Sequence, residues 1–261
     1  MKLSSANINV MIKACRKASK TLIRDFGEIE NLQVSVKGPG DFVTASDKKV
    51  EKILSEELQK ARPNYSILSE EIGKISNDES YKWIIDPIDG TANFLHGIPH
   101  FAISIGLEQD GEIICGIIYD PIKDEMFVAE KGNGSYLNNQ RIRVSSRSKL
   151  KDCIIFTGGP KKEAKDRETS LKEYYNFSSK VQIPIRKLGS AALDMAYVAA
   201  GRCDGFWQKY LSYWDIAAGI ILVKESGGFV TDYYGENKYL ENKTLLVTNS
   251  KINKEMVEVL K

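Results

Sequence analysis

The chain of 261 residues predicts a mixed α/β (α+β) fold, and three features carry that expectation. Between Phe101 and Glu130 the hydrophobic pattern reads as successive short strands joined by tight turns. From Cys153 onward, apolar runs of strand length alternate with stretches of helical spacing. Two amphipathic helical patterns precede both regions. Hydrophobic residues make up 42% of the chain, enough for a sizeable core, and the length admits one large domain or two modest ones.

The elements follow in order. Residues 5–26 place Ile8, Met11, Ile12, Cys15, Ala18, Leu22 and Phe26 at helical spacing, with Gly27 as the stop. Lys37-Gly38-Pro39-Gly40-Asp41 reads as a mobile surface loop, and a second helix is expected from about Asp47 to Ala61. Tyr65, Ile67 and Leu68 mark a short strand that runs into Glu70 and Glu71. The apolar run from Trp83 to Ile85 ends in Asp86 and Asp89, which places both acids at the carboxyl end of a buried strand. There Pro87 restricts the backbone and Gly90 permits a sharp turn. Residues 101–107, 113–119 and 126–129 form an antiparallel meander. Lys131-Gly132-Asn133-Gly134 resembles a phosphate-cradling loop but fits a hairpin turn between Val128 and Tyr136 better.

The polar connector at residues 138–150 divides the chain into halves, 1–144 and 145–261. Beyond it, strands are expected at residues 153–156, 183–186, 205–207, 229–231 and 244–248. Helices are expected near 163–175, 191–200, 216–225 and 254–260. There are no repeats or low-complexity tracts.

Thirty-seven basic residues against 35 acidic ones leave a net charge of +2, too little to draw the whole chain to nucleic acid or an anionic membrane. The short basic stretches at 141–151 and 161–167 read as solvated faces. Cys15, Cys115, Cys153 and Cys203 show no C-x-x-C spacing. With His96 and His100 as the only histidines, a zinc site is not expected. Lys13, Arg16 and Lys17 interrupt any signal-peptide core, and no run approaches the roughly 20 apolar residues of a membrane span. These readings point to reduced thiols and a cytoplasmic protein with no membrane partner.

The chemistry-bearing residues are acidic. Asp86 and Asp89, followed by Thr91, offer oxygen ligands on a stiff turn, the donor type a hard cation such as Mg²⁺ takes. The alternative is a turn that the two aspartates merely cap. Glu70-Glu71, read alone, is a solvated face. Asp215 stands where a helix N-cap would, ahead of a run that Gly227-Gly228 stops. Asp47, read alone, opens a helix.

Together, Asp86-Pro87-Ile88-Asp89-Gly90-Thr91, the Glu70 segment, Trp214-Asp215 and Val43-Thr44-x-x-Asp47 resemble the motifs of the inositol monophosphatase family of Mg²⁺-dependent, Li⁺-sensitive phosphatases. The resemblance implies a layered αβαβα sandwich of the sugar-phosphatase type, with the site between the two halves. It implies two Mg²⁺ ions, or three with a weaker one near Glu70. Glu70, Asp86 and the Ile88 carbonyl would hold one ion, and Asp86, Asp89 and Asp215 a second. Glu70 and Thr91 would position and deprotonate water, with Asp47 orienting the Thr91 hydroxyl, and the N–H groups of Gly90 and Thr91 would hold phosphate. Direct attack by water is the implied chemistry, since neither histidine and no cysteine has an activating setting.

For the substrate, the resemblance implies a small polyol phosphate, foremost inositol 1-phosphate. Gly189, Ser190 and Ala191 would line the pocket, although the segment also reads as a helix start with a close-packed glycine. Asp89 would accept from a sugar hydroxyl, with Asp215 nearby. Gln208 stands where inositol-cleaving members usually carry Glu, and Tyr213 where Pro or Cys is frequent. Histidinol phosphate is the nearest rival substrate, ahead of fructose 1,6-bisphosphate, while 3′-phosphoadenosine 5′-phosphate would call for a fuller adenine pocket than the sequence offers. For the cationic histidinol phosphate, Asp194 or Glu225 could serve the amine. The family is commonly dimeric, and the apolar meander would supply that interface. Some bacterial members associate with transcription or ribosomal-RNA processing machinery, which makes a non-catalytic adapter role the reading from another class.

Overall fold

The computed structural model describes residues 5–29, 34–38, 41–159, 167–181 and 183–260. The first half comprises α1 (Ala6–Gly27), β1 (Val34–Gly38), β2 (Asp41–Thr44), α2 (Ala45–Ala61), β3 (Tyr65–Ser69), β4 (Gly73–Ile75), β5 (Asp78–Asp89), α3 (Thr91–Leu95), β6 (Ala102–Gln109), β7 (Glu112–Asp120), β8 (Glu125–Glu130), β9 (Gly134–Leu137) and β10 (Gln140–Ile142). The second comprises β11 (Ile155–Thr157), α4 (Arg167–Val181), β12 (Ile185–Arg186), α5 (Ala191–Ala199), β13 (Gly205–Lys209), α6 (Tyr213–Glu225), β14 (Phe229–Thr231), β15 (Thr244–Thr248) and α7 (Asn253–Leu260).

Three differences from the sequence reading have physical reasons. The residues beside Pro39 and Gly40 pair as antiparallel strands β1 and β2, because Val34, Val36, Phe42 and Val43 favour extended backbone. Pro39 and Gly40 themselves lie outside the described residues. The polar connector contains an edge strand, β10, which extends the meander by pairing with β9. Residues 163–166 of the expected third helix lie outside the described residues, and the corresponding α4 runs further, to Val181.

Eight strands form one sheet in the order β10-β9-β8-β7-β6-β5-β3-β4. It is antiparallel except where β3 runs parallel to β5. A second sheet has the order β12-β11-β13-β15-β14, with β11 parallel to both its neighbours.

Alternation along the strands builds the layers. On β5, Trp83 and Ile85 point to the same face as Ile103 and Ile105 of β6, and there pack against Ile8, Met11 and Leu22 of α1 and Leu54 and Leu58 of α2. Ile84 and Ile118 point the other way, onto α5 and α6. The second sheet repeats the device: Phe206, Leu245 and Val247 face α5 and α6, while Ile155, Trp207 and Leu246 face α4 and α7. The result is the five-layer αβαβα arrangement. α6 is consistent with its central place, since Ile216 through Val223 are all buried and Gly116 of β7 lies so close that a methyl there would meet Ala218 backbone.

The same burial covers the strand faces of β6 and β7. Ile103, Ile105, Leu107, Ile117 and Ile118 are fully buried between the two helical layers. Asp204, also fully buried, pins the connector: it accepts from the Ser145 hydroxyl, from Arg147 Nη1 at 3.1 Å and from the Ile154 N–H at 2.9 Å.

Candidate active site

β5 delivers the first two acids as the sequence suggests. Its ladder with β6 is regular to Asp86↔Ser104 and then shifts register before Asp89↔Ala102, where Pro87 has no N–H to give. Asp86 Oδ1 accepts from the Ile88 N–H at 3.0 Å, which closes the turn around Pro87. Gly90 then takes φ +98°, and a Cβ there would fall 3.1 Å from the His100 carbonyl and 3.2 Å from the Gly189 carbonyl. Both its conformation and the close approach of three backbone segments require glycine.

Asp215 arrives from the second half on the first turn of α6. It is not the N-cap: Ser212 caps the helix, and Asp215 sits at the third helical position, where its Oδ2 accepts from the Ser212 N–H at 2.7 Å in a capping box. The carboxylate oxygens of Asp86, Asp89 and Asp215 come within 4.8 Å of one another. Asp86 and Asp89 are buried and Asp215 half-buried.

The electrostatics brings five acids together. Burial first, and then the charges of Asp89, Glu70, Asp215 and Asp47, push the Asp86 carboxyl well above the ordinary carboxylate range. Burial likewise pushes Asp89 up to about 6, while bonds from the Ser190 hydroxyl and the Ala192 and Ala191 N–H groups pull it back and the Glu70 charge adds to the rise. So much buried negative charge is stable only when protonated or when a cation sits among the oxygens. The donors are all hard oxygens, so the set suits an oxygen-seeking divalent ion.

The segment expected to line the substrate pocket does a second job. Asp89 Oδ2 accepts from the Ser190 hydroxyl and from the Ala192 N–H at 2.7 Å, so the start of α5 grips Asp89 beside the other acids. Ser190 is only 1% exposed and also caps α5. Gly189, at φ +90°, packs against Asn93.

Thr91 opens α3, and its hydroxyl donates to the Ile88 carbonyl at 2.9 Å, an acceptor the sequence reading did not assign to it. Asp47 is buried in the first turn of α2, and Glu70 follows β3 where that strand leaves the sheet.

Gln208 stands on β13 beside a small pocket lined also by Thr157, Glu173, Tyr174 and Lys209, and its amide packs so tightly on Gly158 that any side chain there would collide with it. Glu225 is remote: at the far end of α6 from Asp215, its two oxygens accept from Gly132 N–H and Gly134 N–H at 2.9 Å each. The glycine loop is thus a hairpin turn plugged by this carboxylate, and Glu225, at the opposite end of α6 from the acid cluster, is out of reach of a substrate amine there. Asp194 is no better placed for one, because burial and then the Asp89 charge raise its carboxyl well above the usual range, favouring the neutral form. His100 is pushed down to about 4, mainly by burial, and the four thiols are all buried.

Three contributors were missed. Asn93 clips the two halves, donating from Nδ2 to the His100 carbonyl at 2.8 Å and to the Leu188 carbonyl at 2.7 Å. Tyr213, seen only as an unusual residue, donates to Glu108 at 2.7 Å, and Glu108 also pairs with Lys82 at 2.6 Å. Glu51 is fully buried on α2. A charged residue inside the apolar stripe of Val50, Leu54 and Leu58 was the one legible signal for it.

Comparison with known proteins places this geometry. The profile described as the inositol monophosphatase family matches residues 5–260. An inositol-1-monophosphatase of Mesorhizobium japonicum is 49% identical over 258 residues, covering 98% of this chain and 97% of that protein. The Nus factor SuhB of Escherichia coli K12 is 39% identical over 254 residues, covering 96% and 94%. The crystal structure of the extragenic suppressor protein suhB from Bartonella henselae superposes with a TM-score of 0.94 at 50% identity, covering 98% of this chain and 99% of that one.

Proposed function

Since this chain belongs to the inositol monophosphatase family and is a metal-dependent phosphatase, we propose that its cation is Mg²⁺ and its substrate a small polyol phosphate, foremost inositol 1-phosphate. The observation that carries the reading is the convergence of Asp86, Asp89 and Asp215 within 4.8 Å. Asp86 and Asp89 come from one strand of the first sheet and Asp215 from a helix of the second half.

Asp86, Asp89, Asp215, Glu70 and the Ile88 carbonyl would hold two ions, with a third near Glu70 as the upper count. When bound, the ions supply charge neutralisation at the phosphoryl oxygens and a lowered pKa for the attacking water. The residues of the chain do the rest. Thr91 spends its one proton on the Ile88 carbonyl, which leaves its oxygen lone pairs to accept from water. Glu70 takes the proton that water gives up, and Asp47 holds the Thr91 side of the site. The first N–H groups of α3, at Gly90 and Thr91, have no helical acceptor and are available to phosphate oxygens. The grip of α5 on Asp89 Oδ2 fixes the carboxylate that would serve cation and substrate hydroxyl. Gln208 in place of Glu keeps an acceptor but removes a charge, so its hold on a polyol hydroxyl is weaker.

Phosphate release from inositol 1-phosphate, histidinol phosphate, fructose 1,6-bisphosphate and 3′-phosphoadenosine 5′-phosphate tests the proposal. The assays are run with Mg²⁺, with EDTA, and with Asp89→Asn as the blank. Mg²⁺-dependent turnover led by inositol 1-phosphate and lost in the variant is expected, with inhibition by Li⁺. Turnover of none of the four by folded protein overturns it.

A second reading has its own support, in that relatives covering nearly the whole chain carry the name Nus factor SuhB. In that reading the protein also binds transcription or ribosomal-RNA processing machinery, a role that Asp89→Asn would leave intact. Among the described residues no helix is long and apolar enough to cross a membrane. A cytoplasmic homodimer is the form we assign it, by family likeness.

A further inference from the structure

The Glu70 carboxylate lies on a turn that belongs to neither sheet ladder, and what holds that turn is a buried acid on another element. β3 runs parallel to β5 with Ser69 level with Ile85, so one further residue would bring Glu70 level with Asp86. The strand stops at Ser69, however, and the chain turns back through Gly73, at φ +81°, into β4, which pairs with β3 at Ser69↔Gly73. The N–H groups of this turn point away from the ladders. Glu51 collects them: its Oε2 accepts from the Glu71 N–H at 2.9 Å, and its Oε1 from the Ile72 N–H at 2.8 Å and from the Ser69 hydroxyl. The three donors bracket Glu70 on both sides. Glu51 is 0% exposed, and among the described residues its hydrogen-bond partners are neutral groups with no cation. Burying a carboxylate on these terms is costly unless every lone pair it offers is used.

Glu51 also follows Asp47 by one turn of α2, so the two project from the same face of that helix. Asp47 reaches the site, as its charge on Asp86 shows. One rigid helix therefore carries a carboxylate for the site and, four residues on, the anchor for the Glu70 turn. We propose that Glu51 is the positioning residue that sets the Glu70 carboxylate against Asp86, so that cation affinity on the Glu70 side depends on an acid that itself touches neither cation nor substrate. This rests on the metal-dependent phosphatase reading above.

Two oxygens with full acceptor capacity are what the turn requires. A Gln at position 51 keeps one acceptor oxygen and presents an NH₂ where the other stood. It then faces either the Glu71 N–H or the pair from Ser69 and Ile72, donor against donor. Glu51→Gln is therefore nearly isosteric yet releases the turn.

Mg²⁺ binding is measured by calorimetry on the substrate-free protein, alongside kcat and KM for the ester that the wild type turns over and a thermal melt. Expected for Glu51→Gln is a loss of Mg²⁺ affinity and of kcat of about tenfold or more, as for other residues that orient a ligand, with KM for the ester within about twofold. In a Glu70→Gln background the same substitution is expected to change Mg²⁺ affinity no further, because its route of action is gone. Should Glu51→Gln not fold, Ser69→Ala withdraws one donor and leaves both backbone bonds, and a two- to threefold loss of Mg²⁺ affinity is expected. Unchanged affinity in the folded variant, or a full loss that persists without Glu70, overturns the proposal. The calorimetric reading needs no turnover, so absence of phosphatase activity would sink the functional reading without deciding this one.

Discussion

Asp89→Asn is expected to kill the enzyme and stabilise the metal-free protein. In the fold, Asp89 is 8% exposed, and burial lifts its carboxyl from 3.8 to about 6. A carboxyl whose folded value is raised binds its proton more tightly folded than unfolded. Its contribution to stability is therefore fully present below pH 3.8 and is lost as pH rises through about 6. Above that, the buried charge costs about 3 kcal/mol, from about 1.4 kcal/mol for each pH unit of displacement. Asn removes the charge at little structural expense. Its amide oxygen can take the place of Oδ2 and keep the bonds from Ser190 and Ala192, while its NH₂ turns toward Asp86 and Asp215. Urea unfolding in EDTA at pH 5.5 and pH 7.5 reads this out. The wild type should gain stability on going from pH 7.5 to 5.5. The variant should show a smaller gain, retained by Asp86, and should exceed the wild type at pH 7.5 by up to about 3 kcal/mol. Added Mg²⁺ should reverse the ranking, since ligand binding stabilises only the protein that binds it. If the metal-free variant is no more stable at pH 7.5, or keeps the full pH dependence, the electrostatic account of this site is wrong.

Other substitutions test separate contacts. Tyr213→Phe removes the donor to Glu108 at the first turn of the helix that carries Asp215. It should cost about 1–2 kcal/mol in urea unfolding, with a raised half-saturating Mg²⁺ concentration and little change in KM for the ester. Gly189→Ala places a methyl 2.9 Å from Asn93 Nδ2 at φ +90°. A loss of about 1–3 kcal/mol is expected, and an unchanged melting temperature would contradict the close packing described. Asp204→Ala strands the Ile154 N–H and Arg147 and should cost about 2–4 kcal/mol by chemical denaturation, with the Mg²⁺ dependence of activity unaltered in the folded fraction.

Local pattern was enough for a large part of this protein. Period-two and helical spacing located α1, α2, β5 through β8, and most elements of the second half, because each of those segments carries its own buried face. The acids at Asp86, Asp89, Glu70 and Asp215 were legible for a related reason: each stands where an apolar run ends or a helix begins, and order along the chain matched a family. What the chain alone did not reveal are relations between segments far apart in sequence. The Asp89–Ser190 bond spans 101 residues, the Asn93–Leu188 bond 95 and the Tyr213–Glu108 bond 105, and none leaves a local periodic trace. Read alone, Asp215 is a helix-start residue, and only its order along the chain made it a site acid; the packing of α6 across β6 and β7 is what carries it to Asp86. Glu225 read as a candidate partner for a substrate amine until the same helix delivered it to the hairpin loop. Glu51 passed unnoticed in the apolar stripe of α2, and only the docking of that helix against the β3 turn supplies its donors. Side-chain spacing determines which face of an element is buried; which polar groups then meet across the buried faces is decided by how the layers stack, since hydrogen bonds reach about 3 Å and only the assembled tertiary structure brings distant residues that close.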